Sequence, residues 1–251
     1  MELDLQGKRV IVTGASQGIG LSIASAFHDH GCKVVSVSRN NSNLQSSLSK
    51  SDNWVGISGD VTNPKSSLNI IKKALMFLGG IDILICNVGS GKSVSPGNES
   101  FEEWNKMFST NFLSSTNIIE SSLEQLKKSK GTIVCISSIC GLEVIPKAPV
   151  TYSVSKAALN AYIRGISHPL GKDGIRINGI APGNILFNGS VWEDKISKEK
   201  DLVNKLLKED VPLGRFGSTE DISNLALWLS SSASSFCTGG IFICDGGQSR
   251  V

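Results

Sequence analysis

The sequence predicts an α/β protein in which helices cover both faces of one seven-stranded parallel sheet. Short β-branched runs alternate with helix-length segments along the chain, and the runs are apolar throughout rather than alternating with polar residues. Continuous apolar runs are typical of parallel strands that are buried on both faces. Seven runs and six connections fill the 251 residues without a Pro- or Ser-rich linker, so we predict one domain, residues 1–251, as a three-layer sandwich.

The predicted elements follow one another in regular order. The strands are expected at 9–12, 33–37, 54–57, 81–85, 132–136, 176–180 and 241–243. The helices are expected at 19–30, 65–78, 101–128, 152–170 and 220–229, with a further surface helix and loop at 42–51. Two segments, 89–100 and 184–210, do not follow this alternation of strands and helices and are predicted to be irregular. Since both leave carboxyl ends of strands, where ligands bind in such sheets, we expect them to shape a pocket; surface insertions are the alternative.

Composition excludes several classes of protein. Lys plus Arg number 25 against 22 for Asp plus Glu, so the net charge of +3 gives no reason to expect a nucleic-acid or membrane partner. No apolar stretch approaches the roughly 18 residues that cross a bilayer, and the first residues do not resemble a secretory signal, so we expect a cytoplasmic protein. The six cysteines form no CxxC pair and lie near no zinc-like His pair, so no metal is expected.

A glycine-rich corner joins the first strand to the first helix. Residues 13–20 read TGASQGIG, with glycines at positions 14, 18 and 20. Glycines at such a corner allow a tight turn and a close approach to a pyrophosphate, which the N–H groups and positive dipole end of the following helix then bind. The order strand, corner, helix, strand therefore predicts a dinucleotide site, although the spacing is GxxxGxG rather than GxGxxG.

Arg39 follows the second predicted strand, where an acidic residue would bind the ribose hydroxyls of NAD. Neither Ser38 nor Arg39 is acidic, and a guanidinium forms charge-assisted hydrogen bonds with a 2′-phosphate. The sequence therefore favours NADP over NAD, with an ordinary surface arginine as the alternative.

Tyr152 and Lys156 lie four residues apart at the start of a predicted helix, so they share one face. A tyrosine with a pKa near about 10 acts best as a general acid or base when that pKa is lowered toward neutrality. A neighbouring ammonium and a positively charged nicotinamide would both act in that direction. Ser138 ends the fifth strand, where its hydroxyl could bind a substrate carbonyl; no GxSxG motif or triad supports a nucleophilic serine.

Taken together, these motifs resemble the short-chain dehydrogenase/reductase family. The resemblance rests on the glycine corner, Asn87-Val88-Gly89, Asn111, Ser138, Tyr152-xxx-Lys156, Pro182-Gly183 and segments 212–222 and 238–247. It extends over essentially the whole chain. It implies a Rossmann-type domain, usually assembled as a tetramer or a dimer.

The resemblance also implies a role for each matching residue. Tyr152 would be the general acid/base, Lys156 would lower its pKa and bind the nicotinamide ribose, Ser138 would orient the carbonyl, and Asn111 would hold a water linked to Lys156. The implied cofactor contacts are Gly14, Ser16, Gln17, Gly18, Ile19 and Gly20 at the phosphates, Arg39 at the 2′-phosphate, Asp60 and Val61 at the adenine, Asn87 and Gly89 at the adenosine ribose, and Pro182, Gly183 and Ile185 at the nicotinamide.

Four positions depart from the family pattern. Val88 replaces an alanine, and Gln17 stands where NADP-dependent relatives often carry a second basic residue. Phe187 stands five residues after Pro182, where the family often has a hydroxyl, so Asn188 or Ser190 would have to supply that contact. The separation of Ser138 and Tyr152 is 14 residues, one longer than usual, which changes one wall of the substrate pocket.

Three functions remain open. The first is an NADP(H)-dependent oxidoreductase acting on a carbonyl or alcohol, since the C-terminal half is similar to 3-oxoacyl-carrier-protein reductases. Lys127, Lys128 and Lys130 could attract an acidic carrier, or form a solvated helix end. The polar pocket loops suit a sugar or nucleotide-linked sugar equally well. The third is a dinucleotide sensor without turnover, which would be expected to lack the Tyr/Lys pair.

Overall fold

The computed structural model describes residues 3–40 and 52–250, so the predicted surface segment 42–51 lies outside the described residues. Its seven strands are β1 (Arg9–Thr13), β2 (Lys33–Ser38), β3 (Trp54–Ser58), β4 (Ile83–Cys86), β5 (Thr132–Ile136), β6 (Arg176–Pro182) and β7 (Ile241–Cys244). They form one sheet in the order β3-β2-β1-β4-β5-β6-β7, and every neighbouring pair is parallel. The predicted fold class is confirmed.

Seven α-helices connect the strands within the described residues. They are α1 (Gly18–Asp29), α2 (Pro64–Leu78), α3 (Phe101–Phe108), α4 (Ser114–Ser129), α5 (Val150–Lys172), α6 (Val191–Asp210) and α7 (Thr219–Ser230). The ends of the predicted strands, and of the helices observed as α1, α2, α5 and α7, lie within two residues of the structure. No helix of the described ranges is long and apolar enough to cross a membrane.

The core lies on both sides of the sheet, which is why the strands are apolar throughout. Ile11 of β1 faces the layer formed by α2, α4 and α5, whereas its neighbours Val10 and Val12 face the layer of α1 and α7. All three side chains are fully buried. Because the chain leaves β1 toward β2 on one side and returns to β4 on the other, a crevice opens at the carboxyl ends of these strands.

The helix predicted over 101–128 is two α-helices joined by a π-helical turn, Ser109–Leu113. A π turn adds one residue to a helix without breaking its apolar face, so periodicity alone does not reveal it. The turn contains Asn111, and π turns are frequent at functional sites.

The segment predicted as irregular over 184–210 is mostly the helix α6. Ser190 caps it by accepting a hydrogen bond from the Glu193 N–H at 3.1 Å, and Glu193 Oε2 accepts one from the Gly189 N–H at 2.6 Å. Of its residues only Val203 is buried, so the helix lacks the apolar stripe that predicts helices from sequence. The Ser190-x-x-Glu193 spacing was the available signal.

Candidate active site

The glycine corner places uncapped helix N–H groups at the crevice. Gly14 (φ +65°) and Gly18 (φ +56°) adopt left-handed backbone conformations that favour glycine. A methyl group on Gly20 would lie 2.4 Å from the Gly14 oxygen, so the turn is closed too tightly for any side chain. Gln17, the N-cap of α1, makes no side-chain capping bond, which leaves the first N–H groups of α1, from Gly18 onward, available to an anion.

Asn87 holds this corner together. Its Nδ2 donates to the backbone oxygens of Thr13 and Gly14, both at 3.1 Å, and its N–H donates to Thr13 Oγ1 at 3.0 Å. The backbone N–H and the side-chain amide of Asn87 therefore both bind residues at the end of β1. Its predicted contact with the adenosine ribose stays a prediction.

The predicted adenine residues follow β3. Asp60 Oδ1 accepts hydrogen bonds from the Thr62 N–H at 2.9 Å and the Thr62 hydroxyl at 2.8 Å, which fixes the carboxylate. Val61 is buried, and its backbone oxygen accepts a bond from Asn117 at 3.1 Å. Arg39 is exposed directly after β2, the neighbouring strand, so its guanidinium is accessible at the same edge of the sheet.

The predicted catalytic residues meet at the end of β5 and the start of α5. Ser138 and Tyr152 interact here, and the Ser138 hydroxyl accepts the Cys140 N–H at 3.2 Å. Burial raises the pKa of Tyr152 to about 12, although the interaction with the Ser138 hydroxyl acts in the opposite direction. Of the effects that the chain itself has on the pKa of Tyr152, burial is the largest. The predicted lowering of this pKa by Lys156 therefore stays a prediction.

Lys156 lies one turn further along α5 and is 3% exposed. Its Nζ donates to the backbone oxygen of Ile136 at 2.7 Å, and burial lowers its pKa to about 8. The ammonium is therefore held at the carboxyl end of β5 by a single neutral oxygen rather than by a carboxylate.

Gly89 brings Asn111 and Lys156 together. A methyl group on Gly89 would lie 3.0 Å from Asn111 Oδ1 and 3.1 Å from Lys156 Nζ. The fully buried Asn111 accepts the Ser90 N–H at 2.8 Å and donates to the Ser90 oxygen at 3.2 Å. Its side chain thus ties the loop after β4 to the π turn. The water that the resemblance implies at Asn111 stays a prediction.

The predicted nicotinamide residues lie at the end of β6. Pro182 is the last residue of the strand, and a methyl group on Gly183 would lie 2.6 Å from Asp245 Cβ, so this wall is also closely packed. Ile185 is buried and pairs with Gly217 in a parallel β-bridge. The two hydrogen bonds of this bridge are made by the Leu186 N–H and the Asn184 oxygen. The N–H and C=O of Ile185 stay outside that bridge, which fits the predicted contact with a carboxamide.

The loop 89–100 reaches Tyr152, as expected for a pocket wall. A methyl group on Gly91 would lie 3.9 Å from Cε1 and Cζ of the Tyr152 ring. Ser93 donates to Glu103 at 2.9 Å and shares a hydrogen bond of 2.7 Å with Thr151, the residue before Tyr152. Since Thr151 is fully buried, this contact fixes the loop against the start of α5.

Sequence reasoning missed Asn160, which positions the loop that carries Ser138. Its Oδ1 accepts the Ser137 hydroxyl at 2.6 Å, and its Nδ2 donates to the Gly141 oxygen at 3.0 Å. The signal was present, because Tyr152, Lys156 and Asn160 recur every four residues on one face of α5.

The residues at the corner fit a dinucleotide. The first turn of α1 is uncapped, and added methyl groups at Gly14 and Gly20 would collide with Val88 or with the corner's own backbone, so the backbone N–H groups of this turn can be approached closely by a ligand. By contrast, the described part of the chain contains no group of three or more His, Cys, Asp or Glu residues that could hold a metal ion.

Comparisons with known proteins agree with this geometry. A family model described as enoyl-(acyl carrier protein) reductase matches residues 14–249. A 3-oxoacyl-(acyl-carrier-protein) reductase from Chlamydia muridarum is 34% identical over 252 residues, which cover 97% of this chain and 98% of that protein.

Two solved structures are similar over nearly their full length. The L-sorbose reductase of Gluconobacter frateurii, complexed with NADPH and L-sorbose, has a TM-score of 0.93 at 25% identity and covers 100% of both chains. A 7α-hydroxysteroid dehydrogenase, complexed with NADH and 7-oxo glycochenodeoxycholic acid, has a TM-score of 0.90 at 29% identity, covering 98% of this chain and 95% of that one. The chain belongs to the short-chain dehydrogenase/reductase family and is an NAD(P)-dependent oxidoreductase acting on CH–OH and C=O groups.

Proposed function

We propose that the protein reduces a carbonyl substrate with NADPH, using Tyr152 as the general acid. The observation that carries this proposal is the placement of Tyr152 and the buried Lys156 one helical turn apart on α5, with Lys156 bound to the carboxyl end of β5, where Ser138 follows. The three side chains lie beside the loop 89–100 at the carboxyl edge of the sheet, next to the glycine corner.

Each residue has a defined task in this reaction. The cofactor supplies the hydride. Ser138 and Tyr152 bind the carbonyl oxygen through their hydroxyls, and Tyr152 donates its proton as negative charge develops there. Because the Tyr152 pKa is about 12, the phenol is protonated at neutral pH, which suits the direction of carbonyl reduction. Lys156 would hold the ribose next to the nicotinamide, and Asn111 would hold a water linked to Lys156, through which a proton would return to Tyr152.

The preference for NADP(H) over NAD(H) rests on Arg39. This exposed cation follows β2, and the preceding Ser38 offers no carboxylate to the ribose hydroxyls. The two similar solved structures contain different dinucleotides, NADPH in the sorbose reductase and NADH in the steroid dehydrogenase. The cofactor preference of this chain therefore depends on its own residues near the ribose. A guanidinium at this position favours a 2′-phosphate.

Two substrate classes are candidates. The relative from Chlamydia muridarum supports a 3-oxoacyl thioester. However, two of the lysines that would attract an acidic carrier are paired within the chain, Lys127 with Asp173 at 2.9 Å and Lys128 with Glu124 at 2.7 Å. The similarity to the L-sorbose reductase supports the second candidate, a sugar or nucleotide-linked sugar.

We also propose that the protein is a homo-oligomer, a tetramer or a dimer. Phe101 is 74% exposed at the start of α3, and Leu113 and Val154 are about two-fifths exposed on the π turn and α5. These side chains lie on elements that pack against one another, and exposed apolar side chains that form one patch mark interaction surfaces. Light scattering coupled to size exclusion measures the mass directly.

The test is an assay of carbonyl reduction with a panel of substrates, in which the decrease in NADPH absorbance measures turnover. The panel contains 3-oxoacyl thioesters and ketoses, each assayed with NADPH and with NADH. Tyr152→Phe should lower kcat about 10²- to 10⁴-fold because the proton donor is removed, while cofactor affinity is unchanged. The matched control is Tyr162→Phe, since Tyr162 is the other tyrosine of the chain and packs edge-to-face on Phe112 away from Ser138. Full activity in Tyr152→Phe would contradict the mechanism.

A further inference from the structure

The ring of Phe187 lies directly on the glycine corner. A methyl group on Gly18 would be 2.5 Å from Cε2 of this ring and 2.8 Å from its Cδ2 and Cζ. Gly18 is the first residue of α1, whose N–H groups are uncapped and available to an anion. An apolar ring therefore lies against the first residue of the helix whose N–H groups are expected to bind the phosphates.

The backbone of Phe187 is hydrogen-bonded to Ser190. Its N–H donates to Ser190 Oγ at 3.4 Å, and the Ser190 N–H donates back to the Phe187 oxygen at 3.0 Å. Ser190 is also the N-cap of α6, so Phe187 and the first turn of α6 form one hydrogen-bonded unit. The ring itself is partly buried against the core layer that contains Ile23 and Ile185.

We propose that Phe187 is a gate on the phosphate corner that sets how fast the dinucleotide enters and leaves. The ring has to move off Gly18 to admit the phosphates, and it excludes water from their hydrogen bonds with α1 once it returns. Hydrogen bonds between N–H groups and an anion are stronger where water is excluded, but a ring without donors adds none of its own. The proposal rests on the cofactor site of the proposed function.

The first test measures cofactor kinetics by stopped-flow fluorescence of NADPH. Phe187→Ala should raise both the association and the dissociation rate, the latter at least about tenfold, since loss of a covering group acts mainly on dissociation. Phe187→Leu should give intermediate rates. The matched control is Leu186→Ala, because Leu186 precedes Phe187 on the same loop and is 38% exposed. Rates in Phe187→Ala equal to those of the wild type would overturn the gate.

A second measurement does not depend on the cofactor. Hydrogen–deuterium exchange of the peptide containing Gly18 and Ile19 should be faster in Phe187→Ala than in the wild type or Leu186→Ala, because the ring no longer shields these amides. If the wild type binds neither NADPH nor NADH, the proposed function fails, and the exchange result still reports on the covering ring. If exchange is unchanged, the ring does not cover the corner in solution and the gate is rejected.

A double-mutant comparison tests the contact itself. Gly18→Ala alone suffers both from its left-handed backbone and from collision with the ring, whereas in a Phe187→Ala background only the backbone strain remains. The loss of melting temperature caused by Gly18→Ala should therefore be smaller in that background. Gly14→Ala, whose methyl would meet Asn87 and Val88 instead, should cost the same in both backgrounds. Equal losses for Gly18→Ala in the two backgrounds would contradict the contact.

Discussion

The ammonium of Lys156 donates a hydrogen bond of 2.7 Å to the backbone oxygen of Ile136, the last residue of β5. Within residues 3–40 and 52–250 no carboxylate accompanies this bond, and burial lowers the pKa of Lys156 to about 8. A lowered lysine pKa means that the charged side chain is less stable in the folded protein than in the unfolded chain. Lys156, which the proposed mechanism places next to the cofactor, therefore destabilises the fold while it is charged.

Replacing Lys156 by methionine should therefore stabilise the fold while it abolishes most activity. Below about pH 8 both the folded and the unfolded chain carry the charge, and the folded chain bears the full desolvation cost. Between pH 8 and the ordinary lysine value of about 10.4 only the unfolded chain remains protonated, so this cost fades as pH rises. Lys156→Met should melt above the wild type at pH 7, by a margin that shrinks toward pH 10.

Differential scanning fluorimetry at the two pH values measures both quantities. The control is Lys128→Met, since Lys128 is exposed on α4 and pairs with Glu124 at the surface. A margin that grows with pH, or a lower melting temperature at pH 7, would show that the charge of Lys156 stabilises the fold.

Removing the guanidinium of Arg39 should shift the cofactor preference. If Arg39 binds the 2′-phosphate as proposed, Arg39→Ala removes charge-assisted hydrogen bonds that contribute about 1.5–3 kcal/mol each, so the ratio of kcat/KM for NADPH to that for NADH should fall about 10- to 100-fold. The change should lie almost entirely in the NADPH value. Lys33→Ala is the matched control, because Lys33 is an exposed cation at the opposite end of β2. A wild-type ratio below one would refute the assignment to Arg39.

Adding a methyl group at Gly89 should separate Asn111 from Lys156. Both side-chain atoms would lie within 3.1 Å of the new carbon and would have to give way by a few tenths of an ångström. Because a small misplacement of a positioning group costs up to about 100-fold in rate, Gly89→Ala should lower kcat strongly while the protein remains folded.

Gly165→Ala is the control for this substitution. Gly165 lies inside α5, and nothing is within 4 Å of an added methyl group. Since glycine within a helix costs about 0.5–1 kcal/mol relative to alanine, this variant should gain stability and keep its activity. If Gly89→Ala keeps wild-type kcat in the same assay, the alignment of Asn111 and Lys156 is not needed for turnover.

Local signals predicted the elements and much of the candidate site. The apolar strands, the glycine corner and the four-residue spacing of Tyr152 and Lys156 each depend on residues close together in the chain, so sequence alone indicates them. The helix α6 was missed because it is almost entirely exposed and lacks an apolar stripe. The π turn was missed because it leaves the apolar face of its helix intact.

The sequence by itself determined a parallel sheet, a glycine-rich corner between strand and helix, and a helix bearing a tyrosine and a lysine, because these follow from short-range sterics and periodicity. Only the tertiary structure decided that Gly89 brings Asn111 to Lys156 and that Phe187 covers Gly18, a residue 169 positions away in the chain. It also decided the pKa values of Tyr152 and Lys156, about 12 and about 8. Those values depend on burial, and burial is set by packing between segments whose separation in sequence carries no local signal.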